Sequence, residues 1–129
     1  HIQNEGWEAY KTDGEVSGTV GKGLRLEGII IETENLPKGA YIRYKTHVQN
    51  LGWENYWKSE GSLSGTSGKG LRLEAIKIEL VGAPGYHVEY RSHVQDLGWE
   101  NTWKRDGQIS GSIGMSKRLE GIQIRIVKY

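Results

Sequence analysis

Cysteine and phenylalanine are both absent from the 129 residues, methionine occurs once and proline twice. Without a thiol there are no disulfides and no thiolate metal sites. Without Phe, every aromatic ring is one of five Trp or seven Tyr, large apolar groups that each carry a polar handle. No apolar run approaches the roughly 18 residues that crossing a bilayer requires. The formal net charge is only +1, with acids and bases interspersed, which leaves no electrostatic footprint for nucleic acid or an anionic membrane. No signal-peptide pattern is visible, and no segment holds a helical period of useful length. What is plentiful is glycine, at 19 copies, the mark of a turn-rich β protein.

The chain repeats itself. His1-Ile-Gln-Asn-Glu-Gly-Trp7 returns as His47-Val-Gln-Asn-Leu-Gly-Trp53 and as His93-Val-Gln-Asp-Leu-Gly-Trp99, 46 residues apart each time. Further correspondences follow in order: Asp13-Gly14, Glu60-Gly61 and Asp106-Gly107, then the three Ser-Gly pairs at 17, 64 and 110. Each copy ends on Arg-Leu-Glu, at Arg25, Arg72 and Arg118. The first copy is one residue shorter just after its Trp, which sets Tyr10 opposite Trp57 and Trp103. A fixed period in the range of 20 to 50 residues marks units that cannot bury their apolar faces alone. The expectation is one domain over residues 1–129 with a shared core, built from units 1–46, 47–92 and 93–129.

The local signals are those of strands. Tyr41–Val48 alternates, with Ile42, Tyr44, Thr46 and Val48 on one face. Leu71–Leu80 alternates too, but its phase slips between Leu73 and Ile76, as a β-bulge would make it, at a small residue each time (Gly28, Ala75, Gly121). Four short strands per unit give an all-β fold, a threefold pseudo-symmetric β-prism-like domain, with the β-trefoil as the alternative. The prism is favoured because each unit looks able to form its own small antiparallel sheet. One strand of the threefold set is missing between the two chain ends, so either a longer chain supplies it or a sheet edge stays open.

His-Val-Gln before Gly-Trp, a second Trp four residues on, an acidic-Gly turn, Ser-Gly-Thr-x-Gly and Leu-Arg-Leu-Glu-Ala-Ile-x-Ile together resemble the ChW repeat, the clostridial hydrophobic repeat named for its Trp. The likeness spans the chain as three tandem copies. It departs from the pattern at Met115-Ser116-Lys117 and at Tyr10. The resemblance implies an extracellular module of Gram-positive bacteria, secreted or wall-associated, part of a longer secreted protein, and lectin-like in binding cell-wall or other surface polysaccharide.

Two aromatic classes stand out. Trp7, Trp53 and Trp99 are either a central core around the threefold axis or ligand contacts. Tyr10, Trp57 and Trp103 sit among Lys, Asn and Glu and suit stacking on the C–H faces of sugars. Gln3, Gln49 and Gln95, with Asp13, Glu60 and Asp106, are candidate partners for sugar hydroxyls, while Asn4, Asn50 and Asp96 read better as turn formers. His1, His47 and His93 read as hydrogen-bonded strand histidines rather than metal ligands, and no cofactor is expected. Arg25-x-Glu27 and its copies read as structural ion pairs. The leading expectation is therefore a non-catalytic glycan-binding module with up to three equivalent sites. The alternative is a structural or protein-interaction module, and exposure of the second aromatic class separates the two, since stacking rings must be at least half exposed and lie beside the Gln or acidic side chains. Three near-identical copies multiply a binding site more naturally than an asymmetric catalytic one.

Overall fold

The computed structural model describes all residues, His1–Tyr129, and contains strands and turns but no helix. In chain order the strands are β1 (Ser17–Gly18), β2 (Gly28–Ile29), β3 (Tyr41–Val48), β4 (Gly52–Trp53), β5 (Lys58–Ser59) and β6 (Ser64–Gly65). The remainder are β7 (Leu73–Val81), β8 (Tyr86–Val94), β9 (Gly98–Trp99), β10 (Lys104–Arg105), β11 (Ser110–Gly111) and β12 (Leu119–Lys128). They form three antiparallel sheets around one core. In the first, β11, β7, β3 and β4 lie in that order and β5 also pairs with β3. In the second, β1, β12, β8 and β10 lie in order and β9 also pairs with β8. The third contains only β2 and β6.

The strand faces follow the alternation. Along β3, Ile42, Tyr44, Thr46 and Val48 are buried while the residues between them are partly exposed. Opposite β3 and β8 the register shifts at the expected small residues, between His47 and Val48 (facing Ala75 and Leu73) and between Leu119 and Gly121. The bulge lets Leu73 and Ile76, which alternation alone would set on opposite faces, both enter the core, each at 1% exposure.

The units do not each close a sheet of their own. The Ser-Gly strand of one unit always pairs with the strand at or just after Arg-Leu-Glu in the unit before it: β6 with the short β2, β11 with β7, and β1 with β12, which closes the ring. Glycine is required at these crossings. A Cβ on Gly65, whose φ is +92°, would stand 2.6 Å from the Glu27 carbonyl oxygen. Each sheet is thus shared between neighbours, and the threefold closure runs through the backbone.

The core is one cluster drawn from all three units. It stacks the sets Ile2/Val48/Val94 and Leu26/Leu73/Leu119 with Ile31, Ile78, Tyr44 and Tyr90. Tyr44 and Tyr90 are fully buried. Their hydroxyls accept the Ile31 and Ile78 N–H groups, both at 3.1 Å, and donate to the carbonyls of Ser62 and Gln108. Burial against this core pushes the Tyr44 and Tyr90 pKa values up. These tyrosines and aliphatic side chains fill the core and no tryptophan enters it, which corrects the reading of Trp7, Trp53 and Trp99 as a central triad.

Candidate functional site

Trp53 and Trp99 are set by the two-residue strands β4 and β9, which pair back on His47 and His93. Each Trp meets its His edge-on, at 5.4 and 5.3 Å between ring centres, and Trp7 meets His1 in the same way at 5.3 Å. The His Nδ1 atoms lie 2.9, 3.0 and 3.0 Å from Glu27, Glu74 and Glu120. These buried carboxylates are held from the other side by Nε–H of Arg25, Arg72 and Arg118 at 2.8, 2.9 and 2.9 Å. The histidines are therefore strand histidines tied to carboxylates, and each Arg-x-Glu is a structural pair. No group of three or more His, Asp or Glu side chains converges in a manner that could hold a metal ion.

Gln3, Gln49 and Gln95 serve the same frame. Each side-chain oxygen accepts the N–H of Arg25, Arg72 or Arg118 at 3.2 Å, while the glutamine's backbone N–H donates to that residue's carbonyl. The glutamines clamp the frame through their oxygens, which leaves only their side-chain amide N–H groups without a partner in the protein. Glu60 and Asp106 are likewise committed. Glu60 bonds Thr33 and the Ile42 N–H, and Asp106 accepts N–H from Leu80 and Val88, so both fasten one unit to the next. Asp13 makes no such bond and stays exposed. Asn4, Asn50 and Asp96 hold φ near +67°, the turn role expected of them.

What remains open to solvent is aromatic and cationic. Trp7 and Tyr10 are 47% and 68% exposed, whereas Trp53, Trp57, Trp99 and Trp103 are only partly exposed at the surface, so of the second aromatic class Tyr10 alone reaches the half exposure expected of a stacking ring. At the second unit's rings, Lys77 Nζ lies 4.6 Å from Trp53, and Lys45 Nζ and Arg43 Cζ, from the end of the first unit, lie 5.2 and 4.8 Å from Trp57. At the third unit's rings, Arg91 from the end of the second unit bridges the pair, 5.3 Å from Trp99 and 5.0 Å from Trp103, and Arg125 stacks on Trp103 at 3.8 Å. Cations over indole faces hold these rings in place while leaving an edge and part of a face outward. Arg43 and Arg125 are neutralised by Glu79 and Glu89 at 2.6 and 2.7 Å. Burial raises the Glu89 pKa, but hydrogen bonds and charge from Arg125 and His87 outweigh it, so the carboxyl sits below the usual glutamate range. Lys45, Lys77 and Arg91 have no carboxylate partner, and Arg91 is steadied by the Gln123 side-chain oxygen at 2.8 Å.

The first unit is built differently. Ile30 stands where Lys77 and Gln123 stand in the others, no cation approaches Trp7 or Tyr10, and Tyr10 donates instead to Glu32 at 3.0 Å. Two strips are alike and the third is not.

Sequence reasoning passed over Glu8, Glu54 and Glu100. Glu54 accepts from Ser64 Oγ and the N–H groups of Gly65 and Thr46, and Glu100 repeats this at Ser110, Gly111 and Ser92. The signal was present in the thrice-repeated Trp-Glu dipeptide. A shallow pocket of about 230 Å³ opens beside Trp53, lined by Leu51, Glu54, Asn55 and Thr66. The Thr66 hydroxyl is buried there without a hydrogen-bond partner, as are those of Thr19 and Ser112 at the equivalent positions.

A family model described as "Clostridial hydrophobic W" matches the chain three times, at residues 1–35, 47–82 and 93–128. No curated protein and no solved structure matches the chain.

Proposed function

The chain belongs to the Clostridial hydrophobic W family, and from that membership we propose that it is a non-catalytic module that binds polysaccharide through surface tryptophan strips. The observation that carries the reading is the pair of strips on the second and third units, Trp53–Trp57 and Trp99–Trp103, each with a cation that no carboxylate neutralises. Flat rings pack against the C–H faces of sugars, and the neighbouring Lys45, Lys77 and Arg91 favour a polymer carrying carboxylate or phosphate groups. Each strip binds weakly alone, and two on one rigid scaffold gain avidity on a repeating polymer. The natural setting of such a module is the outer surface of a Gram-positive cell, where it would tether a larger secreted protein to the wall.

Titration of intrinsic Trp fluorescence with fragments of acidic and neutral wall polysaccharides tests the reading. Saturable changes with the acidic fragments, weakening as salt rises, support it. Absence of any change with either class removes it and leaves the structural alternative.

A further inference from the structure

Two lysines face each other in the middle of the first sheet. Lys45 of β3 and Lys77 of β7 are direct cross-strand partners, and both are partly buried. Like charges directly opposite one another in a ladder cost stability, so the fold alone does not account for this row. No carboxylate relieves it. Glu79 is spent on Arg43, Glu74 on His47 and Arg72, and Glu54 on Ser64 and the Gly65 N–H.

The matching rows of the other sheets carry no such conflict. In the second sheet Arg91 faces Gln123, whose side-chain oxygen accepts the Arg91 Nε–H at 2.8 Å. In the third, Ile30 takes the position of Lys77 and Gln123. The lysine pair is therefore particular to one sheet and not a requirement of the repeat. Its setting is also particular. Lys77 Nζ lies 4.6 Å from the centre of the Trp53 ring and Lys45 Nζ lies 5.2 Å from that of Trp57, so two ammoniums stand between two indoles. The Cβ atoms of facing residues in a ladder are about 4.5–5.5 Å apart, which lets two flexible lysine tips converge on one anion.

We propose that Lys45 and Lys77 form a phosphate seat, and that the second unit's strip selects sugars carrying a phosphate group. This rests on the reading of the strips as glycan platforms and names what one of them selects. The indoles take the C–H face of the sugar, and the ammoniums between them take its charged substituent. A lysine ammonium is a compact point charge with three rotating donors, so two of them reach the spread oxygens of a tetrahedral group from different sides. A planar carboxylate is matched better by the fork of an arginine. The third unit's strip has Arg91 in that place, with one N–H already given to Gln123. The two strips are thus unequal, and only the second reads phosphate.

A heteronuclear NMR titration of the isotope-labelled chain tests this. The probes are glucose 6-(methyl phosphate), glucuronate, glucose and dimethyl phosphate at constant ionic strength, so that phosphate and carboxylate carry the same single charge. The sugar phosphodiester should give saturable shifts at the Lys45 and Lys77 amides and the Trp53 and Trp57 indole N–H groups. Its affinity there should exceed that of glucuronate and of glucose by at least about threefold. Lys45→Gln and Lys77→Gln should each weaken it by about three- to tenfold. Lys38→Gln, which removes an equal charge from the exposed turn before β3, should leave it within about twofold. Dimethyl phosphate should shift the same amides more weakly and leave the indoles still. Equal affinity for the three sugars, unchanged affinity in both lysine variants, or no saturable shift at Lys45 and Lys77 overturns the seat. Dimethyl phosphate binding as tightly as the sugar phosphodiester overturns it too, leaving a simple ion site. None of these outcomes touches the platform reading, which stands or falls on the titration with wall polysaccharides.

Discussion

Tyr44 and Tyr90 occupy the centre that the first tryptophan of each unit looked suited to fill. Their rings are fully buried, and each hydroxyl ties the N–H of one unit to a carbonyl of the next. Tyr44→Phe keeps the ring and strands the Ile31 N–H and the Ser62 carbonyl. A loss of about 1–3 kcal/mol is expected, read from urea denaturation. Burial raises both tyrosine pKa values, so these groups contribute stability that is complete below the ordinary tyrosine value and is lost as pH rises through the folded value. Unfolding is therefore expected to set in above about pH 10. Absorbance at the tyrosinate band and circular dichroism should show the last tyrosines ionising together with loss of structure. Alternation along Tyr41–Val48 already placed Tyr44 inward with Ile42, Thr46 and Val48. What no pattern disclosed was that its hydroxyl would be satisfied by a different unit.

At the scale of the element, the long strands are legible in their period and the bulge in its small residue. Sheet membership is not, because Ser17–Gly18, Ser64–Gly65 and Ser110–Gly111 look like turn residues and pair across units. The same blindness explains the acids and glutamines: Glu60, Asp106 and Gln49 resemble ligand groups in one dimension and are claimed by backbone partners more than 15 residues away. The pair Arg43–Glu79 in the first sheet becomes Glu89–Arg125 in the second, at the same register with inverted sign. Charge complementarity rather than charge identity holds these strands. Arg43→Glu or Glu79→Arg alone should each cost about 0.5–1 kcal/mol, since both side chains are partly solvated. The double reversal should recover most of that loss in a thermal-denaturation cycle.

At the scale of the molecule, three small units gain one core by sharing strands around a ring, so no unit is expected to fold alone. The period alone gave the threefold count. The candidate face was half legible: Tyr10 is exposed, as its polar neighbours implied, but Trp57 and Trp103 are only partly exposed, short of the half exposure expected of stacking rings, and Trp53 and Trp99 lie at the surface beside them. The cations over their rings come from β3, β7, β8 and β12 and are invisible to local reading. Because Tyr10 and Trp7 lack those cations, two strips rather than three should carry polymer binding. The most direct test is retention of the 129-residue chain on purified Gram-positive cell walls, compared with Trp57→Ala, Trp103→Ala and the double variant. Weaker retention in each single variant, and a loss in the double that exceeds the product of the two while circular dichroism shows the fold intact, is the expected result. Undiminished retention of the folded double variant, or no retention of the wild type, would contradict the account.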